Sequence, residues 1–163
     1  MSEVTAKGKA AKKASYQLIG LTTEKKNEAL GKIAKQLIID KDFLIKENQK
    51  DLEEGRIKGY SESTLDRIML NVNRIDDMAA AIMLLIDLND PIGEQLETIE
   101  KENGLLIKKL RVPIGVIGMI YEARPNVTID AATLSLKTGN AVLLRGSSSA
   151  KYSNIALVSS IHK

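Results

Sequence analysis

"VPIGVIGMIYEARPNVTIDAATLSLKTGNAVLLRG", residues 112–146, decides the fold. After Pro113 the run IGVIGMIY is almost wholly apolar, which is the pattern of a strand buried on both faces of a parallel sheet. Asn126 to Thr138 reads as a helix, with Pro125 suited to its start and Gly139-Asn140 to its stop. Ala141 to Arg145 is a second buried strand, and Ser148 or Ser149 begins a helix through Ala156, Leu157 and Ile161. Strand, helix, strand and helix at this spacing predict a right-handed βαβ crossover plus one helix, an α/β fold.

Working outward, "TIEKENGLLIKKL" (98–110) carries Asn103-Gly104 between two extended runs. Asn-Gly favours a type I′ turn with positive φ at both residues, so a hairpin is expected. The first ninety residues read as helices. Thr22 or Thr23 caps a helix whose buried face is Leu30, Ile33, Ala34, Leu37 and Ile38. Asp40 caps a second, carrying Phe43, Leu44, Ile45 and Leu52 and ending near Gly55. Ser63 with Asp66 resembles a capping box opening one long helix, with a stripe from Leu65 to Ile86 that Asp90-Pro91 stops.

Composition narrows the function. There is one Phe, no Trp and no Cys in 163 residues, so the core is aliphatic and no disulfide exists, which fits a cytoplasmic location. The net charge of +3 comes largely from an N-terminal stretch, Lys7, Lys9, Lys12 and Lys13, read as a charged tail. Without stacking aromatics or a groove-reading helix, nucleic acid is not the expected partner. The longest apolar run, Met78 to Ile86, is far short of the about 20 residues that cross a bilayer, so no membrane role is expected.

Chemistry-bearing residues gather after the two strands. Gly115 and Gly118 lie within the first strand, so a GxGxxG grip on pyrophosphate is ruled out. Arg145 stands at the carboxyl end of a parallel strand, where open α/β sheets bind ligands, and with the hydroxyls of the following serines it suits a 2′-phosphate. The same residues also read as a surface Arg before a Ser cap. Asn126 either donates its amide to an oxyanion or caps its helix, and Arg124 can meet a carboxylate or phosphate. His162, the only histidine, lies beside the terminus and argues against metal ligation or a Ser/His/Asp relay, so no metal is expected. Asp76-Asp77 and Glu53-Glu54 read as solvated surface.

"YEARPNVT" followed by "LKTGN" and "LLRG", with "NQKDLEEGRIKGYSESTLDRIMLN" upstream, resembles the gamma-glutamyl phosphate reductase (glutamate-5-semialdehyde dehydrogenase) family of the aldehyde dehydrogenase superfamily. The resemblance covers essentially the whole chain and implies an aldehyde dehydrogenase-like fold. Residues 1–94 would be the helical part of a cofactor domain, 95–112 an oligomerisation hairpin turned at Asn103-Gly104, and 113–163 a partial Rossmann-like unit. It implies NADPH-dependent reduction of L-glutamyl 5-phosphate to the 5-semialdehyde through a cysteine thioester, in proline biosynthesis, by a homo-oligomer. Asn126 matches the oxyanion donor. Arg145, with Gly146, Ser147 and Ser149, matches the cofactor-binding turn, and Arg124 is the candidate substrate ligand. Many superfamily members carry an acidic residue where Ser149 stands; a serine removes a charge that would repel a 2′-phosphate and so favours NADPH. The nucleophilic cysteine is absent from these residues, so the expectation is an N-terminal fragment, inactive alone. The alternative is a stand-alone nucleotide-binding or interaction module.

Overall fold

The computed structural model describes residues 2–163. Seven helices and four strands follow in the order α1 (Glu3–Leu18), α2 (Thr23–Ile39), α3 (Lys41–Ile57), α4 (Glu62–Ile68), α5 (Val72–Asp87), β1 (Gln95–Glu100), β2 (Leu106–Leu110), β3 (Val116–Ile120), α6 (Asn126–Lys137), β4 (Ala141–Arg145) and α7 (Lys151–Ile161). None of the described helices is long and apolar enough to cross a membrane.

The core is helical. Leu30 and Leu37 of α2, Leu44 of α3, Ile75 of α5, Ile129 of α6 and Leu157 of α7 are fully buried in one cluster. Each contributes about 1.5–3 kcal/mol relative to an exposed side chain. Ile38, expected on the buried face of α2, is 40% exposed, and Phe43 of α3 is also exposed. Gly55 does not end α3; it lies buried inside it, where a Cβ would come within 2.9 Å of Leu65 and Tyr60. The stop is Gly59, at φ +75°.

The single long helix expected from Ser63 is two helices. Ser61, not Ser63, caps α4, and Asn71 caps α5 by accepting from Arg74 N–H at 2.9 Å. The break is held from elsewhere: the Asn48 amide oxygen takes the Leu70 N–H at 2.7 Å, and its Nδ2 donates to the Ile68 carbonyl at 2.6 Å. Asn48 also donates to Ser153 Oγ at 2.9 Å, tying the break to α7. The Lys-rich N-terminal stretch is no tail but helix α1, capped by Ser2 and lying against β4 and β3.

β1 and β2 form an antiparallel hairpin whose residues are all exposed. Only Gly104 has positive φ, and its N–H donates to the Lys101 carbonyl at 2.8 Å. The turn is therefore a type I turn with a glycine bulge rather than type I′. β3 and β4 pair in parallel, with Val116 opposite Ala141 and Ile120 opposite Arg145. They form a two-stranded sheet, so β3 is half-buried rather than enclosed on both faces, and Ile120 is 86% exposed. Gly115 precedes β3 rather than lying inside it. At the end of α6 the Asn140 N–H reaches the Ser135 carbonyl and the Gly139 N–H the Leu136 carbonyl, a Schellman stop with Gly139 at φ +67°.

Candidate active site

Both candidate turns leave the carboxyl ends of the parallel strands. The Tyr121 N–H donates to the Arg145 carbonyl at 3.1 Å, carrying the ladder one step past β3. The chain then turns through Arg124 and enters α6 at Pro125, whose φ of −59° suits a helix start. Asn126 is the first helical residue and makes no side-chain cap. Its exposed amide instead donates to Asp130 Oδ2, one turn on, at 3.3 Å. That bond is long, so the amide is held in orientation while remaining able to serve a better acceptor. Asp130 is half-buried; burial pushes its carboxyl above the ordinary value, against the smaller opposite pull of the Asn126 amide.

At the end of β4, Arg145 is exposed, and Gly146 begins the second turn. Ser147 Oγ accepts from the Ser149 N–H at 3.2 Å and lies 2.9 Å from Ser149 Oγ. It caps a single 3-10 turn, Ser148–Ala150, so the following helix starts at Lys151 rather than at Ser148 or Ser149. Among the described residues no carboxylate pairs with Arg145. The carboxylate that senses its charge is Glu3 of α1, which is held low first by Lys7, 2.7 Å away, and only weakly by Arg145. A free guanidinium beside two hydroxyls is a donor set that fits a phosphate monoester.

A part-buried relay that the sequence did not reveal joins the two turns. The Tyr121 hydroxyl lies 2.6 Å from Thr128 Oγ1, which donates to Asn154 Oδ1 at 2.9 Å. Thr128 thus spends its only proton on Asn154 and must accept from Tyr121. Gly146 closes this assembly, since a Cβ there would strike the Asn154 amide and come within 3.1 Å of the Tyr121 ring. Tyr121, Thr128 and Asn154 sit on three different elements, and no spacing rule links them. The carboxylate of Asp51, in α3, anchors α7 by accepting from the N–H groups of Tyr152 at 3.1 Å and Ser153 at 2.8 Å.

Between α4, α5 and the start of α6 lies a cleft of about 460 Å³. Arg124, Asn126 and Asp130 line it from one side, and Arg67, Arg74 and Asp77 from the other. Asp77, read from the sequence as solvated surface, is exposed but belongs to this wall; its neighbour Asp76 pairs with Lys41 at 2.5 Å. His162 is exposed at the far end of α7, and no metal-holding cluster exists among the described residues. Arg124 and Asn126 thus share one cleft, while Arg145, Gly146, Ser147 and Ser149 form a separate surface after β4.

No family model matches the chain. It is 59% identical over all 163 residues to a gamma-glutamyl phosphate reductase of Bacillus anthracis, and it spans 39% of the length of the curated relatives it matches. The crystal structure of gamma-glutamyl phosphate reductase from Thermotoga maritima superposes with a TM-score of 0.96 at 45% identity, over 98% of this chain and 39% of that one. A probable aldehyde dehydrogenase from Listeria monocytogenes, 16% identical, matches 94% of this chain and 31% of its own at a TM-score of 0.66, and so shares the fold.

Proposed function

We propose that this chain, similar along its whole length to gamma-glutamyl phosphate reductases, supplies the cofactor-gripping turn and the oxyanion donor for NADPH-dependent reduction of L-glutamyl 5-phosphate to the 5-semialdehyde. The observation that carries this reading is the pairing of two turns at one sheet edge, one with Asn126 and the other with Arg145, locked together by Tyr121, Thr128 and Asn154. Bound nicotinamide would supply hydride. The chain's own residues do the rest of what can be derived from it. Asn126, at a helix start, presents an N–H donor where negative charge would develop on an acyl oxygen. Arg145 with Ser147 and Ser149 would hold the 2′-phosphate, and the absence of a carboxylate at Ser149 favours NADPH over NADH. Arg124, exposed in the same cleft as Asn126, would meet the anionic end of the substrate.

The thiol that forms an acyl intermediate is not among these residues, which contain no cysteine, so the chain by itself should not turn over substrate. The spans 1–94, 95–112 and 113–163 would serve as helical layer, assembly hairpin and cofactor unit, in a cytoplasmic homo-oligomer. Titration of the chain with NADPH and NADH, read by nucleotide fluorescence, tests the cofactor half. NADPH should bind about tenfold tighter, and Arg145→Ala should erase the difference. Equal affinities in the parent chain would count against this assignment.

A further inference from the structure

The charges lining the cleft are balanced but not paired off. Arg74 is committed: it bridges Asp66 Oδ1 at 2.8 Å, and its other nitrogen donates to the carbonyls of Asp66 and Met69. The rest are open. Among the described residues, no hydrogen bond or ion pair engages the side chains of Arg67, Arg124 or Asp77, and Asp130 receives only the 3.3 Å bond from Asn126. Arg67 and Arg124 also share the wall of a second hollow of about 130 Å³. Two arginines and two aspartates without an ionic partner thus line one space of about 460 Å³, a volume suited to a small molecule. They have not collapsed onto each other. Asp130 is half-buried, and its one hydrogen bond, from Asn126, does not offset the burial that raises its carboxyl above the ordinary value.

A simple anion would satisfy the arginines and leave Asp77 and Asp130 exposed to like charge, and a simple cation would do the reverse. A ligand carrying both signs satisfies all four. We infer that the cleft between α4, α5 and the start of α6 is the recognition site for a zwitterionic α-amino-acid head group, with Asp77 and Asp130 taking the ammonium and Arg67 the α-carboxylate. Arg124, next to Asn126 in sequence, is left for the other, reacting end of the ligand. This rests on the reductase reading and deepens it: the selectivity for an amino acid over a plain dicarboxylate comes from two carboxylates on α5 and α6, neither of which lies in the cofactor turn.

The test is an NMR titration of the full chain with L-glutamate, with glutarate (which has the same two carboxylates and no amino group) and, separately, with NADPH. L-glutamate should give saturable shifts at the Arg67 side-chain Nε–H and the Asp77 and Asp130 carboxyl carbons, and should bind about tenfold tighter than glutarate. Asp77→Asn, at an exposed position, and Asp130→Asn should each shrink that ratio without changing NADPH-induced shifts at Arg145. Equal binding of glutamate and glutarate, or no saturable shift at these residues with either, overturns the assignment. If the NADPH shifts persist in that case, the reductase reading stands while the head-group site falls; if NADPH fails as well, both fall.

Discussion

The helical half and the strand half of this chain are built from the same aliphatic residues and bury them to different extents. Leu30, Leu37, Leu44 and Ile75 are fully enclosed, whereas Ile107 of the hairpin is 43% exposed, Ile114 83% and Ile120 86%. A helix satisfies its backbone internally and needs only a neighbour for one stripe, which α2, α5, α6 and α7 provide for one another. A strand needs partners along its edges as well as cover on its faces, and β3 has β4 alone among the described residues. The candidate site residues lie at the seam: Asn126 opens a helix anchored in the closed half, and Arg145 ends a strand that belongs to the open one.

The sharpest way to break this contrast is to remove equivalent bulk from each half. Leu37→Ala should cost about 3–4 kcal/mol in urea unfolding, as a fully buried leucine does, while Ile107→Ala in the hairpin should cost under about 0.5 kcal/mol. Comparable losses would mean that the hairpin is packed in solution. Asp51→Ala should follow at about 2–3 kcal/mol, because two N–H groups of α7 and the Ser153 hydroxyl lose their acceptor in a buried place. Gly146→Ala probes the seam itself. It should cost about 1–2 kcal/mol, less than a rigid clash would, since the Asn154 amide it displaces can rotate, but it should weaken NADPH more than stability.

Acid titration distinguishes two carboxylates packed on the helical half, one well partnered and one not. Burial raises the Asp90 carboxyl, but hydrogen bonds from Lys26, the Ile92 N–H and Thr23, with the Lys26 charge, outweigh it and leave the group below its ordinary value. Its folded pKa being lowered, the stability it contributes is present at neutral pH and is lost as pH falls through that lowered value. Asp130 has the opposite sign: its raised pKa costs stability as pH climbs past the ordinary carboxylate value. Asp90→Asn should therefore flatten the acid limb of Tm against pH, and Asp130→Asn should raise Tm slightly at neutral pH. An unchanged acid limb in the first variant would mean that Lys26 and Thr23 do not hold the Asp90 carboxylate in solution.

Sequence alone carried the parts of the fold whose causes are local. The strand–helix–strand order and the Gly139-Asn140 stop follow from residues within a few positions of each other, and the structure has both. The break between α4 and α5 did not show, because the group that satisfies Leu70 N–H is Asn48, twenty-two residues upstream. The cap at Asn71 was the available signal. The Lys-rich α1 looked like a tail since its apolar content is low, and what makes it a helix in place is the sheet it covers. Arg124, Asn126 and Arg145 were nameable because each sits beside a strand end. Arg67, Asp77 and Asp130 were not, since only the packing of three helices brings them to one cleft.

The most direct measurement is to replace the matching 163 residues of the Bacillus anthracis reductase with this chain and follow NADPH oxidation on L-glutamyl 5-phosphate. The hybrid should be active, and Asn126→Ala within it should lower kcat by about 10²–10³ with KM little changed, as loss of an oxyanion donor does. A folded hybrid without activity, or one indifferent to Asn126→Ala, would contradict the assignment of these turns to catalysis.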